Sequence, residues 1–205
     1  MKITYLGHSC FVLEENGYRA VLDPFKEVEG YKDVNTYGDM VLVSHDHFDH
    51  NYVKGVKRKI SGYENPFDVV MMKTYHDEKM GADRGENIVH IISAGGKKYV
   101  HLGDLGHVLG ENQVKHIKNC DCLMIPIGGT YTVGIDEAWQ IIKDVEPKVV
   151  IPMHYRNGKY GFPVLNNLSD FLTRSNRKIA VTTDSSFFEI PDDDNLIIVP
   201  SVYEK

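Results

Sequence analysis

Apolar residues in the first half of the chain come in short runs cut by turn residues, the pattern of strands rather than helices. Lys2 to Leu6 and Cys10 to Glu14 bracket Gly7-His8-Ser9, and Asn16-Gly17 stands before Arg19 to Asp23 as a hairpin signal. Asp23-Pro24 closes that third strand, and Phe25 to Asp39, rich in glycine, lysine and acidic residues, reads as loop. Further strands are predicted over Met40 to Ser44, near Lys57 to Ser61 and near Asp68 to Lys73, and Gly95-Gly96 joins Ile88 to Ser93 with Lys97 to Leu102 in a second hairpin. The rhythm then changes. A helix over Gly110 to Asn119 leads into the apolar run Cys122 to Pro126, and a helix over Asp136 to Val145 leads into Lys148 to Pro152. A third helix is expected over Leu165 to Ser175, followed by strands near Lys178 to Thr182, Phe187 to Ile190 and Leu196 to Val199. Alternating helices and apolar strands predict crossover units with helices packed outside a sheet, an α/β class.

Composition narrows the possibilities. A length of 205 residues suits one domain, 1–205, without a linker, and 42% hydrophobic with 25% charged residues is the balance of an ordinary globular protein. Lys plus Arg is 23 against 29 Asp plus Glu, a net charge of −6, which lacks the basic footprint of a nucleic-acid binder and leaves a small-molecule substrate as the expected partner. The N-terminal stretch has no long apolar segment and no later run approaches membrane-spanning length, so a cytoplasmic protein is expected. Cys10, Cys120 and Cys122 are odd in number and lack C-x-x-C spacing, which fits buried, reduced thiols.

The chemistry concentrates after the apolar run Val41-Leu42-Val43. Ser44-His45-Asp46-His47-Phe48-Asp49-His50 places three histidines and two aspartates within six residues. Imidazole with carboxylate suits zinc, manganese or iron better than copper or calcium. In extended backbone, positions two apart face the same way, so His45, His47 and Asp49 can converge while His50 is presented differently, and one loop can serve two ions. A merely polar turn is the competing reading. Three more donors follow strand ends: His76 in Thr74-Tyr75-His76-Asp77, Asp104 in His101-Leu102-Gly103-Asp104, and His154 in Ile151-Pro152-Met153-His154. Each alone reads as structural; together with the histidine loop they complete a donor set for two metals.

His45-x-His47-x-Asp49-His50 followed by His76, Asp104 and His154 resembles the metallo-β-lactamase superfamily. Within it, the branch that includes L-ascorbate-6-phosphate lactonase and N-acyl phosphatidylethanolamine phospholipase D is the nearest likeness. The similarity runs from Tyr5-Leu6-Gly7-His8-Ser9 and Leu22-Asp23-Pro24-Phe25 through Arg84-Gly85-Glu86-Asn87 and Ile127-Gly128-Gly129-Thr130 to Met153-His154-Tyr155. The resemblance implies a four-layer αββα sandwich with two divalent ions, zinc first and manganese or iron next, at one edge of the sheets. It assigns His45, His47 and His76 to one ion and Asp49, His50 and His154 to the other, with Asp104 bridging. The flavodiiron branch carries glutamate where this chain has His47, which favours hydrolysis over redox chemistry.

Two such ions about 3.5 to 4 Å apart share a hydroxide whose parent water has its pKa lowered towards ~7, and they polarise a carbonyl or phosphoryl oxygen. Asp49 is the candidate for orienting that hydroxide, and Asp104 is the other carboxylate at the reacting centre. Asp23, at the end of the third strand, reads as a carboxylate fixing a ligand histidine, or else as a cap before Pro24. For His8 and His107, cleft-lining acid–base roles and structural roles are both open. Arg84, in a glycine-flanked loop, suits a phosphate or carboxylate clamp as well as a surface ion pair. Thr130 and Tyr131, after Gly128-Gly129, suit substrate contact or a tight turn. Asp46 reads as fixing the loop, and His90, His101 and His116 as non-ligands. The expected function is a dinuclear metal-dependent hydrolase acting on a small ester, lactone or phosphodiester. An RNA-processing phosphodiesterase and a metal-binding protein without efficient catalysis are the alternatives.

Overall fold

Alternation along the strands of a computed structural model, which describes residues 1–182 and 187–203, sorts the apolar side chains into three clusters. β1 (Lys2–Gly7), β2 (Cys10–Glu15) and β3 (Tyr18–Leu22) form an antiparallel meander, joined by β5 (Met40–Leu42) parallel to β3. The short β4 (Thr36–Gly38) and β6 (Val56–Arg58) pair in parallel beside it. The second sheet holds β7 (Asp68–Tyr75), β8 (Glu86–Ala94), β9 (Lys97–His101), β10 (Cys122–Pro126), β11 (Val149–Met153), β12 (Lys178–Val181) and β13 (Leu196–Val199), in the order β12-β13-β11-β10-β9-β8-β7.

Along β10, Cys122 and Met124 face the smaller sheet while Leu123 and Ile125 face away; β11 and β13 repeat the pattern. Ile3, Tyr5, Phe11, Leu13, Ala20 and Leu22 of the smaller sheet complete the layer between the sheets. On the far side of the larger sheet lie α1 (Glu111–Ile117), α2 (Ile135–Val145) and α3 (Leu168–Leu172). Helix α2 buries Ile135, Ala138, Ile141, Ile142 and Val145, one stripe at helical spacing. Each fully buried side chain such as Ile141 or Val145 contributes roughly 1.5–3 kcal/mol. The outer face of the smaller sheet is covered by Phe25, Val28, Val34 and Val56. This fourth layer is coil and one 3-10 turn (Val53–Gly55), because left-handed backbone at Glu27 and Gly30 interrupts any helix there.

Both hairpin signals lie on left-handed pairs, Asn16 with Gly17 and Gly95 with Gly96. Other expectations shift. The Phe25 to Asp39 loop ends in β4, and the strand predicted over Lys57 to Ser61 stops at Arg58 because the Asp39 carboxylate takes the Ser61 amide at 2.7 Å. The third helix shrinks to five residues. Asn166 is occupied elsewhere, donating its amide to Gly128 O at 2.8 Å and its side chain to Ile127 O at 3.1 Å. The strand predicted over Phe187 to Ile190 is reduced to one bridge, Phe188 to Ile3.

Strand direction decides where chemistry collects. β7, β9, β10 and β11 run the same way, as do β1, β3 and β5. The residues just past the C-terminal ends of these strands are His8, Asp23, the Ser44–His50 loop, His76, Asp104 and His154.

Candidate metal centre

The ligand atoms of His45, His47 and His76 lie within 4.8 Å of one another, and those of Asp49, His50 and His154 form a second group that also contains His8. Asp104 stands between them. Its Oδ2 is 3.3 Å from His76 Nε2, 3.9 Å from His45 Nε2, 3.2 Å from His50 Nε2 and 3.1 Å from His154 Nε2. Nevertheless His45 Nε2, His50 Nε2, His154 Nε2 and Asp104 Oδ1 are buried without a hydrogen-bond partner. Buried polar atoms left unmatched cost free energy, and here they cluster around one carboxylate, that of Asp104. Donors at about 2.0–2.2 Å from an ion sit roughly 3 Å apart, so the set fits divalent cations. Burial alone would raise the Asp104 carboxyl, but the His154 and His50 imidazoles outweigh it and hold the group well below the usual carboxylate range.

A hydrogen-bonded frame aims the donors. Asp23 Oδ2 accepts from His50 Nδ1 at 2.9 Å and from the Ser44 hydroxyl at 2.6 Å, while Oδ1 accepts the Ser44 amide at 2.7 Å. Ser44 Oγ in turn accepts from His45 Nδ1 at 2.9 Å. One carboxylate thereby orients His50 directly and His45 through a hydroxyl, leaving both Nε2 atoms free to ligate. Asn87 does the same for Asp104: its Oδ1 accepts the Asp104 amide at 2.9 Å while its Nδ2 donates to Thr74 Oγ1 and Leu102 O. Ser44 and Asn87 escape sequence reasoning, since a serine before a histidine and an asparagine in a strand carry no signal of their partners.

The ligands open onto a cleft of about 530 Å³ lined by Asp46, His47, Phe48, Asp49, His76, Arg84, Asp104, Tyr131 and Phe162. Arg84 donates to Thr130 O at 3.3 Å and stands 5.8 Å from the Tyr131 ring centroid. Its loop is organised by Asp77, whose carboxylate accepts the amides of Lys79, Gly81, Asp83 and Arg84. Thr130 spends its hydroxyl on Val164 O at 2.7 Å and holds Arg84 through its carbonyl. Asp46 accepts Asn51 Nδ2 at 2.8 Å, the loop-fixing role.

Neither His8 nor His107, each open to a cleft-lining or a structural role, is among the residues that line this cleft. His107 donates Nδ1 to Val108 O at 2.9 Å and accepts the Tyr75 amide at Nε2, so both ring nitrogens are consumed by backbone. His8 is fully buried behind the ligands, and burial together with the neighbouring His154 pushes its imidazole down to about 4. His101 donates to Ser9 O at 2.9 Å, His90 is buried in β8, and His116 lies on α1, all apart from the ligand groups. A larger cavity of about 840 Å³, bordered by Trp139, Lys148 and Arg177, contains none of the donors. It lies by the N-terminal ends of β11 and β12, so its size does not mark it as the reacting centre.

A family model described as a Beta-lactamase superfamily domain matches residues 2–154, a span that includes all the donors above. The chain belongs to the metallo-β-lactamase superfamily of metal-dependent hydrolases. Among curated superfamily members, a UPF0173 metal-dependent hydrolase of Carboxydothermus hydrogenoformans is 30% identical over 191 residues, covering 76% of this chain and 84% of that protein. One from Desulforamulus reducens is 31% identical over 193 residues, with 76% and 84% covered. Of solved superfamily structures, a proposed zinc-dependent hydrolase from Thermotoga maritima shares 33% identity at a TM-score of 0.72 over 97% of this chain and 98% of that one. An isothiocyanate hydrolase from Delia radicum gut bacteria, at 13% identity and a TM-score of 0.66, shares the fold.

Proposed function

We propose that this chain is a dinuclear metal-dependent hydrolase of small esters, lactones or phosphodiesters. The observation that carries the reading is the position of Asp104 Oδ2, within 3.1–3.9 Å of histidines from both donor groups, where one carboxylate serves two ions. His45, His47 and His76 would hold one, Asp49, His50 and His154 the other, and zinc is the first choice for an imidazole–carboxylate set, ahead of manganese or iron. When bound, such ions supply an activated water near neutral pH and a Lewis acid for the substrate oxygen.

The chain's own groups do the rest. Asp49, at the cleft wall, is placed to orient the attacking water and take its proton, and that water would serve in place of a serine or cysteine nucleophile. Arg84, braced by Thr130 O, binds an anionic substituent, and Tyr131 with Phe48 and Phe162 supplies an apolar wall. A cleft of about 530 Å³ suits a small molecule. This combination supports the branch that includes L-ascorbate-6-phosphate lactonase and N-acyl phosphatidylethanolamine phospholipase D, whose named substrates carry a phosphate. The three buried free cysteines and the net charge of −6 support a cytoplasmic enzyme that does not grip nucleic acid.

The test is a panel of lactones, phosphodiesters, phosphomonoesters and thioesters, assayed with metal-loaded and chelated protein. Turnover that disappears on chelation and returns with zinc or manganese is expected. Full activity in metal-free protein overturns the reading.

A further inference from the structure

His8 is the one member of the second donor group that the two-ion assignment leaves without a task, and its surroundings supply one. Its Nε2 lies 3.3 Å from Asp49 Oδ2, and its ring centroid lies 4.1 Å from that of His154. The main chain is fixed as firmly as the ring. His8 O accepts the His154 amide at 3.0 Å and the Tyr5 hydroxyl at 3.1 Å.

This placement requires unfavourable backbone. His8 has φ +54, and the non-glycine residues Asp23 at φ +43 and His154 at φ +52 share the left-handed region. Any residue with a Cβ pays free energy there, histidine and aspartate less than branched residues do, and the conformation persists where the surrounding structure imposes it. Gly7 at φ +114 precedes His8 in the register shift that ends β1, so the chain already turns there on glycine and then carries an imidazole through the next left-handed position.

We propose that His8 is a positioning residue for the second ion: it donates Nε2–H to Asp49 Oδ2 and so fixes the orientation in which Asp49 ligates. The inference rests on the two-ion reading above. Removing the donor leaves a buried carboxylate edge free to rotate, and the loss falls on the second ion while the His45, His47 and His76 group keeps its own.

Zinc titration of the intact protein, followed by competition with a chelator, tests this in the wild type, His8→Ala, His8→Gly and His8→Gln. The wild type is expected to hold two equivalents. His8→Ala and His8→Gly are expected to bind the first ion unchanged and the second roughly 10–100-fold more weakly, the usual cost of losing an outer partner. His8→Gln restores much of that affinity, because its amide nitrogen stands as many bonds from Cβ as Nε2 does, and it settles the matter should the smaller variants fail to fold. His8→Gly is expected to melt above His8→Ala, since glycine escapes the left-handed penalty. A wild type that binds a single equivalent removes the two-ion reading itself. Two equivalents in the wild type, with second-ion affinity unchanged in His8→Ala or unrecovered in His8→Gln, removes the role given to His8 alone.

Discussion

The two halves of the candidate centre are built differently. His50 and His154 are wholly buried, Asp49 is nearly so, and around them stand Asp23 and His8, which with His154 itself make three left-handed non-glycine residues. In the other half, His45 and His76 are buried as well, and the difference lies at His47, which is exposed and lines the cleft together with His76 and Asp49. Only His45 of this trio takes support from Asp23, and that through Ser44. The contrast separates two demands on one site. Ligands braced by side chains hold geometry, and a ligand exposed at the cleft, as His47 is, stands where a substrate would enter.

The largest effect is expected from the residue that belongs to both halves. Asp104→Ala removes the shared carboxylate and leaves the histidine Nε2 atoms of both groups facing one another. Metal content is expected to fall for both ions, and kcat/KM to drop beyond the ~10–100-fold typical of losing an outer partner. Elemental analysis after gel filtration, paired with kinetics, checks this. Loss of one ion alone would break the comparison, because Asp104 would then belong to a single half.

Asp23→Ala sharpens it. The substitution frees His50 Nδ1 and orphans the buried Ser44 amide, which costs on the order of 1–3 kcal/mol in stability. Its effect on metal is expected to be uneven, roughly 10–100-fold on the ion that His50 holds and less on the ion that His45 reaches through the flexible Ser44 hydroxyl. Differential scanning calorimetry and metal competition report the two quantities separately. Equal weakening of both ions would show that the halves are one rigid unit.

The same division explains what could be read from residues alone. The donors His45, His47, Asp49 and His50 share one short loop, and His76, Asp104 and His154 each follow an apolar strand, so strand pattern and residue type together made them candidates. Their supports were not legible. Ser44 and Asn87 act through partners 21 and 17 residues away, and nothing in either side chain names them. His8 and His107 show the limit from the other side. Both are histidines near a strand end, and residue type and spacing alone leave the same two roles open for each. Left-handed backbone after Gly7 turns His8 inward behind Asp49, whereas backbone groups of Tyr75 and Val108 consume both nitrogens of His107. Fold elements failed where side chains replaced backbone partners, as Asp39 does at the end of β6 and Asn166 ahead of α3.

The smallest expected effect concerns the mouth and not the ions. Asp77 shapes the Arg84 loop by accepting four amides, and although burial opposes its ionisation, these donors outweigh that and pull the carboxyl down to about 2. An unfolded aspartate titrates near ~3.9, so ionised Asp77 adds stability that is fully present above about pH 4 and drains away as the pH falls towards 2. In Asp77→Asn one oxygen still accepts, but the NH2 that replaces the other faces two backbone N–H donors that it cannot accept. Both ions are expected to stay, kcat to hold, and KM for a substrate with an anionic group to rise on the order of 10-fold, less than the ~10²-fold that misplacing a reacting group costs. The stability gap between wild type and variant, followed by urea titration, is expected to narrow as the pH drops from about 4 to 2. A variant that loses the ion assigned to Asp49, His50 and His154 would tie this loop to the braced half and erase the distinction between holding ions and admitting substrate.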